Sequence, residues 1–225
     1  MEEVLLLAID SATNCSGISL LENGNCIASL NYSIKKMKSE NLVVYIKYLI
    51  DSLGYNITDI NFLAVCKGPG TFTGIRIGMS ISYALAKGLM IPLYAFNTLE
   101  VIVMNFLNLP LIKIPVINAR KGQIYASVYD EKGEEILKPT VLNAEYLVRY
   151  IDKETLIIGN EIDYHYNIIK TNLKHCIYRM EVSNISCSLG KMAFREIKNN
   201  KKPSLVYPMY LRDADAVIPG NPKKV

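Results

Sequence analysis

The most specific local pattern in the sequence is Gly68-Pro69-Gly70-Thr71-Phe72-Thr73-Gly74-Ile75-Arg76-Ile77-Gly78. A glycine-rich turn between a strand and a helix can cradle a phosphate, because main-chain N–H groups and the positive helix end face outward together. It is not a Walker A loop, since no Lys-Ser or Lys-Thr follows the second glycine at the required spacing and Arg76 falls inside the helix. The other reading is a tight turn with Thr71 or Thr73 as helix cap, worth about 1 kcal/mol. Asp10 closes the first apolar run and could hold a metal-bound nucleotide, with Gly68, Gly70 and Thr71 as a weak, vestigial binding set. It equally fits a turn-capping carboxylate beside Ser11 and Thr13. A lone carboxylate makes a poor active site, and the opposing position in the second half is Asn118, which orients water but accepts no proton.

Other chemistry has less support. His165 and His175 occupy a Tyr- and Lys-rich stretch with no HExxH pattern and read as surface or half-buried residues. No GxSxG elbow is present. Cysteines at 15, 26, 66, 176 and 187 contain no CxxC pair, which fits neither a disulfide framework nor a zinc ribbon and suits a reducing cytoplasm. The basic clusters Lys35-Lys36-Met37-Lys38 and Lys198 to Lys202 lack interleaved aromatics and read as solvated faces.

A second kind of site is a docking surface. After the glycine turn, small residues recur at every fourth position, Gly74, Gly78, Ser82 and Ala86 on one row and Ser80, Ala84 and Gly88 on another. Glycine inside a helix costs about 1 kcal/mol against alanine, so the rows call for a close contact. Either the chain's own sheet or a partner's helix could supply it. The preceding helix has a core face at Leu42, Ile46, Leu49 and Leu53, widened by Val43 and Ile50, while Val44, Tyr45 and Tyr48 add apolar surface beyond it. The candidate interface is therefore Leu42, Val44, Tyr45, Tyr48, Thr73, Gly74, Arg76, Gly78, Ser82 and Ala86.

These residues need a scaffold, and the sequence outlines one. Strands are expected at Val4 to Ile9, Gly17 to Glu22 and Cys26 to Ser33, the last two joined by an Asn23-Gly24 hairpin. A helix closed by Gly54, a strand Phe62 to Cys66, a helix from about Thr73 to Leu89 and a strand Pro92 to Phe96 follow. The second half repeats this in shorter form: strands Ile114 to Asn118, Gln123 to Tyr129 and Glu134 to Lys138, a helix Asn143 to Tyr150, a strand Leu156 to Ile158, and helices near Tyr164 to Leu173 and Ile185 to Lys198. The inference is an α/β chain built from duplicated β-β-β-α-β-α units, with the boundary between residues 97 and 112.

Composition agrees with an ordinary globular chain. Half of the 225 residues are hydrophobic and a fifth charged, against disorder, and a net charge of +4 falls short of an autonomous nucleic-acid binder. The Met-Glu-Glu start is the wrong sign for a secretion signal, and no stretch approaches the roughly 20 apolar residues that span a bilayer. A cytoplasmic protein without membrane contact is expected.

Ile9-Asp10-Ser11, the 68–78 string, Asn97-Thr98-Leu99-Glu100, Asn118 through Tyr125 and Tyr210-Leu211-Arg212, in this order, resemble the bacterial TsaB (YeaZ) family over most of the chain. The resemblance implies an actin-like duplicated fold of the sugar kinase and Hsp70 superfamily, with subdomains at 1–100 and 101–225. It implies a non-catalytic partner of TsaD, which makes threonylcarbamoyl-adenosine next to the anticodon of certain tRNAs. TsaE in a larger complex, a homodimer when alone, and tRNA contact only through the complex are implied as well. In TsaD the stretch matching Asn97 to Ile102 carries two metal-binding histidines; here those positions are Thr98 and Ile102, so no metal is expected. No cofactor is expected beyond weak ATP binding. Asn118 replaces the family's more usual Asp, and Lys38 stands where a His before Ser-Glu is common. The competing reading is an actin-like ATPase or phosphotransferase using Asp10 and the Gly68 to Gly74 turn.

Overall fold

The computed structural model describes residues 4–33, 41–160, 162–171, 177–203 and 206–212. The first half forms a mixed sheet from β1 (Leu5–Asp10), β2 (Cys15–Glu22), β3 (Asn25–Ser33), β4 (Phe62–Cys66) and β5 (Leu93–Phe96), in the order β3-β2-β1-β4-β5. α1 (Asn41–Asp51) and α2 (Phe72–Leu89) are its connecting helices. β1 pairs antiparallel with β2 and parallel with β4, so it lies at the centre, and all six of its residues are buried. That explains an apolar run without alternation: a strand covered on both faces has no solvent side. Asn23 and Gly24 both have positive φ, 50° and 83°, as the two-residue hairpin between β2 and β3 requires.

The second sheet repeats the order. It contains β6 (Ile112–Arg120), β7 (Gln123–Tyr129), β8 (Glu135–Asn143), β9 (Thr155–Ile158) and β10 (Ile177–Met180), arranged β10-β9-β6-β7-β8. Counted from the central strand of each half, this is the same topology, with two antiparallel neighbours on one side and two parallel strands on the other. It is the duplicated actin-like architecture. The copy is abbreviated where α1 would stand, since Ala144–Tyr150 is a 3-10 helix rather than the expected α-helix. α4 (Asp163–Thr171) connects β9 to β10. β10 and α3 (Thr98–Val103) are too short to emerge from sequence periodicity, and neither was expected.

The two halves are interlocked by their helices. α5 (Ser186–Lys198), expected as the last helix of the second unit, packs on the first sheet instead, where Ile185, Leu189 and Ala193 join the core around β1. It covers the face opposite α1 and α2. Ser19 and Leu21 of β2 face α5, whereas Val65, cross-strand from Ile9, faces α2. α3 lies between the sheets: Val101, Ile102 and Val103 belong to the first core, and Leu99 packs with Ala119 and Tyr125 of the second. A boundary near residue 100 thus separates the sheets but not the helices that cover them. Among the described residues no helix is long and apolar enough to cross a membrane.

α1 ends at Asp51, two residues before Leu53, where its apolar spacing would carry it. Leu42, Ile46, Leu49 and Ile50 are buried; Leu53 and Val43 are exposed rather than part of the core face.

Candidate functional site

The turn from β4 into α2 is held by main-chain bonds to four other segments. Lys67 N–H donates to the Phe96 carbonyl at 2.9 Å, Thr98 N–H to the Gly68 carbonyl at 2.9 Å, Thr71 N–H to the Ala12 carbonyl at 2.7 Å, and Met209 N–H to the Lys67 carbonyl at 2.7 Å. Gly68 sits at φ +102°, where any side chain would meet the Met209 carbonyl, and a Cβ on Gly70 would run into the Ala12 carbonyl. The glycines are there to let backbones touch. Two main-chain donors of this turn, Lys67 N–H and Thr71 N–H, are spent on β5 and on the chain's own β1–β2 turn, and two of its carbonyls, those of Lys67 and Gly68, accept from Met209 and Thr98. Thr71 occupies the N-cap position of α2 with extended backbone, but its hydroxyl makes no capping bond.

Asp10 is wholly buried. Its Oδ1 accepts from Ala12 N–H at 2.9 Å and its Oδ2 from the Thr13 hydroxyl at 2.8 Å, while Tyr32 Oη donates to its main-chain carbonyl at 3.1 Å. Burial pushes its carboxyl up to about 6, against the opposing pull of the Thr13 and Ala12 hydrogen bonds. This is the turn-capping geometry.

Above it, a cleft of about 500 Å³, counting its open mouth, separates the two sheets. Thr13, Asn14 and Thr71 line one wall, Asn118 and Asn160 the other, and Ile102 the floor, with no charged side chain among the described residues that line it. Asn118 is exposed and its Oδ1 accepts from Arg120 N–H at 2.9 Å. Among the described residues the lining does not fit a metal-bound triphosphate: the Asp10 carboxylate is buried with both oxygens engaged, and no described cation lines the cleft to offset the phosphate charge. Thr98 and Ile102 stand one turn apart on α3, Thr98 buried with its hydroxyl unpartnered and Ile102 turned to the cleft. His165 is buried on α4, where desolvation lowers its pKa, rather than at the surface. In the Lys198 to Lys202 cluster, Lys201 pairs with Glu196 at 3.0 Å and Lys198 lies over the Phe194 ring, so the cluster is not simply solvated. Lys35, Lys36, Lys38, His175 and Cys176 lie outside the described residues.

The docking surface needs correction. The row Gly74, Gly78, Ser82 and Ala86 is turned inward: the Ser11 hydroxyl donates to the Gly74 carbonyl at 2.7 Å, and a Cβ on Gly78 would collide with that same hydroxyl. The chain's own β1–β2 turn is the close contact these glycines serve. Leu42 is likewise buried, and Tyr45 is half-buried with its ring 5.7 Å from that of Tyr32. None of these five buried residues can meet a partner. Val44 and Tyr48 remain outside, 62% and 63% exposed, as do Thr73 and Arg76, whose guanidinium lies 4.1 Å over the Phe72 ring.

The outward face of α2 instead carries the second small row, Ser80, Ala84 and Gly88, beside Tyr83, and Met90 projects just past its end at 90% exposure. Tyr83 and Met90 are the residues the sequence reading missed; Ser80, Ala84 and Gly88 are recognised there as a second row but left out of the candidate interface, and Val43 is placed on the core face. The signal was present, because once the 74-78-82-86 row is assigned to the sheet, 100° per residue places 80, 83, 84 and 87 on the far side. Tyr210-Leu211-Arg212 also acquires a place. Tyr210 stacks on Phe72 at 4.9 Å, Leu211 packs with Leu99 and Tyr125, and Arg212 donates to the Ala119 carbonyl at 2.6 Å, bridging the two halves.

Comparison with known proteins gives concordant matches. The family model described as TsaD, tRNA N6-adenosine threonylcarbamoyltransferase, matches residues 32–220. The chain is similar to the tRNA threonylcarbamoyladenosine biosynthesis protein TsaB of Bacillus subtilis, 30% identical over 171 residues that cover 73% of this chain and 75% of the relative. It is also similar to TsaB of Escherichia coli, 31% identical over 149 residues, 61% of this chain and 64% of the relative. Among solved structures, YeaZ from Pseudomonas aeruginosa superposes with a TM-score of 0.73 at 22% identity, covering 92% of this chain and all of that one, which supports the fold.

Proposed function

The chain belongs to the TsaB (YeaZ) family, within the reach of the TsaD family model, and from that premise we propose that it serves tRNA threonylcarbamoyladenosine biosynthesis as a partner subunit of TsaD rather than as the transferase. The observation that carries the non-catalytic reading is the cleft. Its lining among the described residues offers no acid, base or cation, Asp10 is sealed beneath it, and Thr98 and Ile102 stand where the resemblance to TsaD places metal-binding histidines. Without a group to polarise a carbonyl or take a proton, the cleft has no means to transfer a carbamoyl group. The same groups weigh against the ATPase alternative.

Docking is assigned to the outer surface of α1 and α2, where Val43, Val44, Tyr48, Tyr83 and Met90 expose apolar area on one face of the first sheet, with Thr73 and Arg76 at its margin. Small outward residues at 80, 84 and 88 let a partner helix approach closely. The same surface would serve a homodimer in the free protein, exchanged for TsaD on assembly; TsaE joins the larger complex, tRNA is met only through it, and the setting is cytoplasmic. The test is reconstitution of TsaD from the same organism with threonylcarbamoyl-adenylate and substrate tRNA. Modification should be sustained only when this chain is added, and the chain alone should modify nothing. Equal turnover without it would refute the proposal.

A further inference from the structure

Three contacts fix how α5 runs along β2. Ser19 Oγ and Ser186 Oγ are 2.6 Å apart, the Leu21 side chain fills the space over Gly190, and Phe194 covers Gly24 at the hairpin. Cys26 of β3 is the cross-strand neighbour of Leu21. Cys187 follows Ser186 and lies one turn before Gly190 and Lys191, on the side of α5 that overhangs β3. The two thiols are consequently neighbours: Cys26 Sγ donates to the Ala28 carbonyl at 3.6 Å, and the Cys187 thiol lies close enough to perturb it. Both residues are partly solvent-accessible and carry free thiols.

We propose that Cys26 and Cys187 form a redox-responsive dithiol, which a low-molecular-weight disulfide converts to an internal disulfide clamping α5 to the edge strand of the first sheet. The chemistry is two exchanges. The Cys187 thiolate attacks one sulfur of the small disulfide; a Cys187 mixed disulfide forms, the original S–S bond breaks, and one small thiolate leaves and takes up the proton released by Cys187. Cys26 sulfur then attacks Cys187 sulfur, the Cys26–Cys187 bond forms, and the second small thiolate leaves with the Cys26 proton. Two protein thiols are oxidised and one disulfide is reduced to two thiols. The order follows from the surroundings of Cys26, whose thiol is pushed up to about 11 by burial and by the adjacent Cys187, so it is the poorer first nucleophile.

The consequence is mechanical. α5 is the segment by which the chain returns from the second sheet to the first, and the clamp makes that return covalent. It lies on the sheet face opposite α1 and α2, so the docking surface stays open.

The experiment treats reduced full-length chain with glutathione disulfide. Five free thiols should fall to three, the mass should drop by about 2 Da relative to the reduced chain, and a non-reduced digest should join the peptides bearing Cys26 and Cys187. The clamp closes a long loop of chain, so Tm should rise by roughly 5 °C or more and return on adding dithiothreitol. Cys26→Ser and Cys187→Ser should each lack the linked peptide and the Tm gain. A linkage to Cys15, Cys66 or Cys176, a stable glutathione adduct on Cys187 in the unmutated chain, or five persisting thiols would each overturn the proposal. The peptide map of the unmutated chain decides even if a variant folds poorly.

Discussion

Asp10, the last residue of β1, and Asn118, near the end of β6, stand towards the carboxyl ends of the central strands of the two sheets, and each accepts a hydrogen bond from the main-chain N–H two residues later, at 2.9 Å in both. Their surroundings differ. Asp10 is sealed beneath the β1–β2 turn, whereas Asn118 is exposed at the cleft. One position carries an acid that does an amide's work in a dry setting.

That contrast predicts the behaviour of Asp10→Asn. The folded-state pKa of about 6 lies above the ordinary 3.8, so folding favours the protonated acid. Its contribution is fully present below about pH 4 and is lost as pH rises through about 6, a swing of about 3 kcal/mol. An asparagine keeps the acceptor for Ala12 N–H and carries no charge to bury. Melting temperatures of parent and variant should therefore diverge between pH 4 and 7, with Asp10→Asn the more stable by several degrees at pH 8. A constant difference across that range would show that Asp10 ionises without cost.

Gly78→Leu should destabilise the fold. Its side chain would enter the space of the Ser11 hydroxyl, which is itself bonded to Gly74, and neither β1 nor α2 can retreat without opening the core. Overpacking of this kind costs about 1 to 3 kcal/mol, and Gly78→Ala already meets the same hydroxyl. Urea midpoints should fall for both. If stability is unchanged and only partner binding falls, the row faces outward and the packing described here is wrong.

Much of this was legible in the sequence, and the failures have physical causes. β1, β2, β3, β4 and β5 came through because buried strands are unbroken apolar runs and Asn23-Gly24 marks their hairpin. Thr98–Val103 and Ile177–Met180 did not, since six and four residues hold too little periodicity. The orientation of α2 was undecidable because small residues serve equally where a sheet or a partner helix comes close, and only Ser11, distant in sequence, resolves it. The return of α5 to the first sheet was hidden for a related reason: an amphipathic stripe says that a helix is buried, not against what.

Lys113 offers a test of the second sheet. It is wholly buried, and its ammonium donates to the carbonyls of Asp130 at 2.7 Å and Glu131 at 3.1 Å, closing the β7–β8 turn. Burial lowers its pKa while Asp130 and Glu131 oppose the shift. Lys113→Met keeps the aliphatic stem and removes both donors, leaving two carbonyls without them, and should cost about 1 to 3 kcal/mol. Chemical denaturation at neutral pH measures the loss; an unchanged midpoint would mean that water replaces the ammonium freely.

The docking surface gives the sharpest functional prediction. Val44 and Tyr48 lie one turn apart on α1, more than half exposed, on the face shared with α2 and away from α5. A stable joint of about 1,000 Å² or more would bury both, and an aspartate at either position would bring an unpaired carboxylate into an apolar contact. Exposed in the free chain, the same substitution disturbs no core. Val44→Asp and Tyr48→Asp should thus leave Tm within a degree or two of the parent while weakening TsaD binding by roughly 10-fold or more, a loss of about 1.4 kcal/mol. Ile136→Asp, half-exposed and on β8 of the other sheet, should bind normally. Titration calorimetry with purified TsaD separates the outcomes, and normal binding by both α1 variants would move the interface off this face.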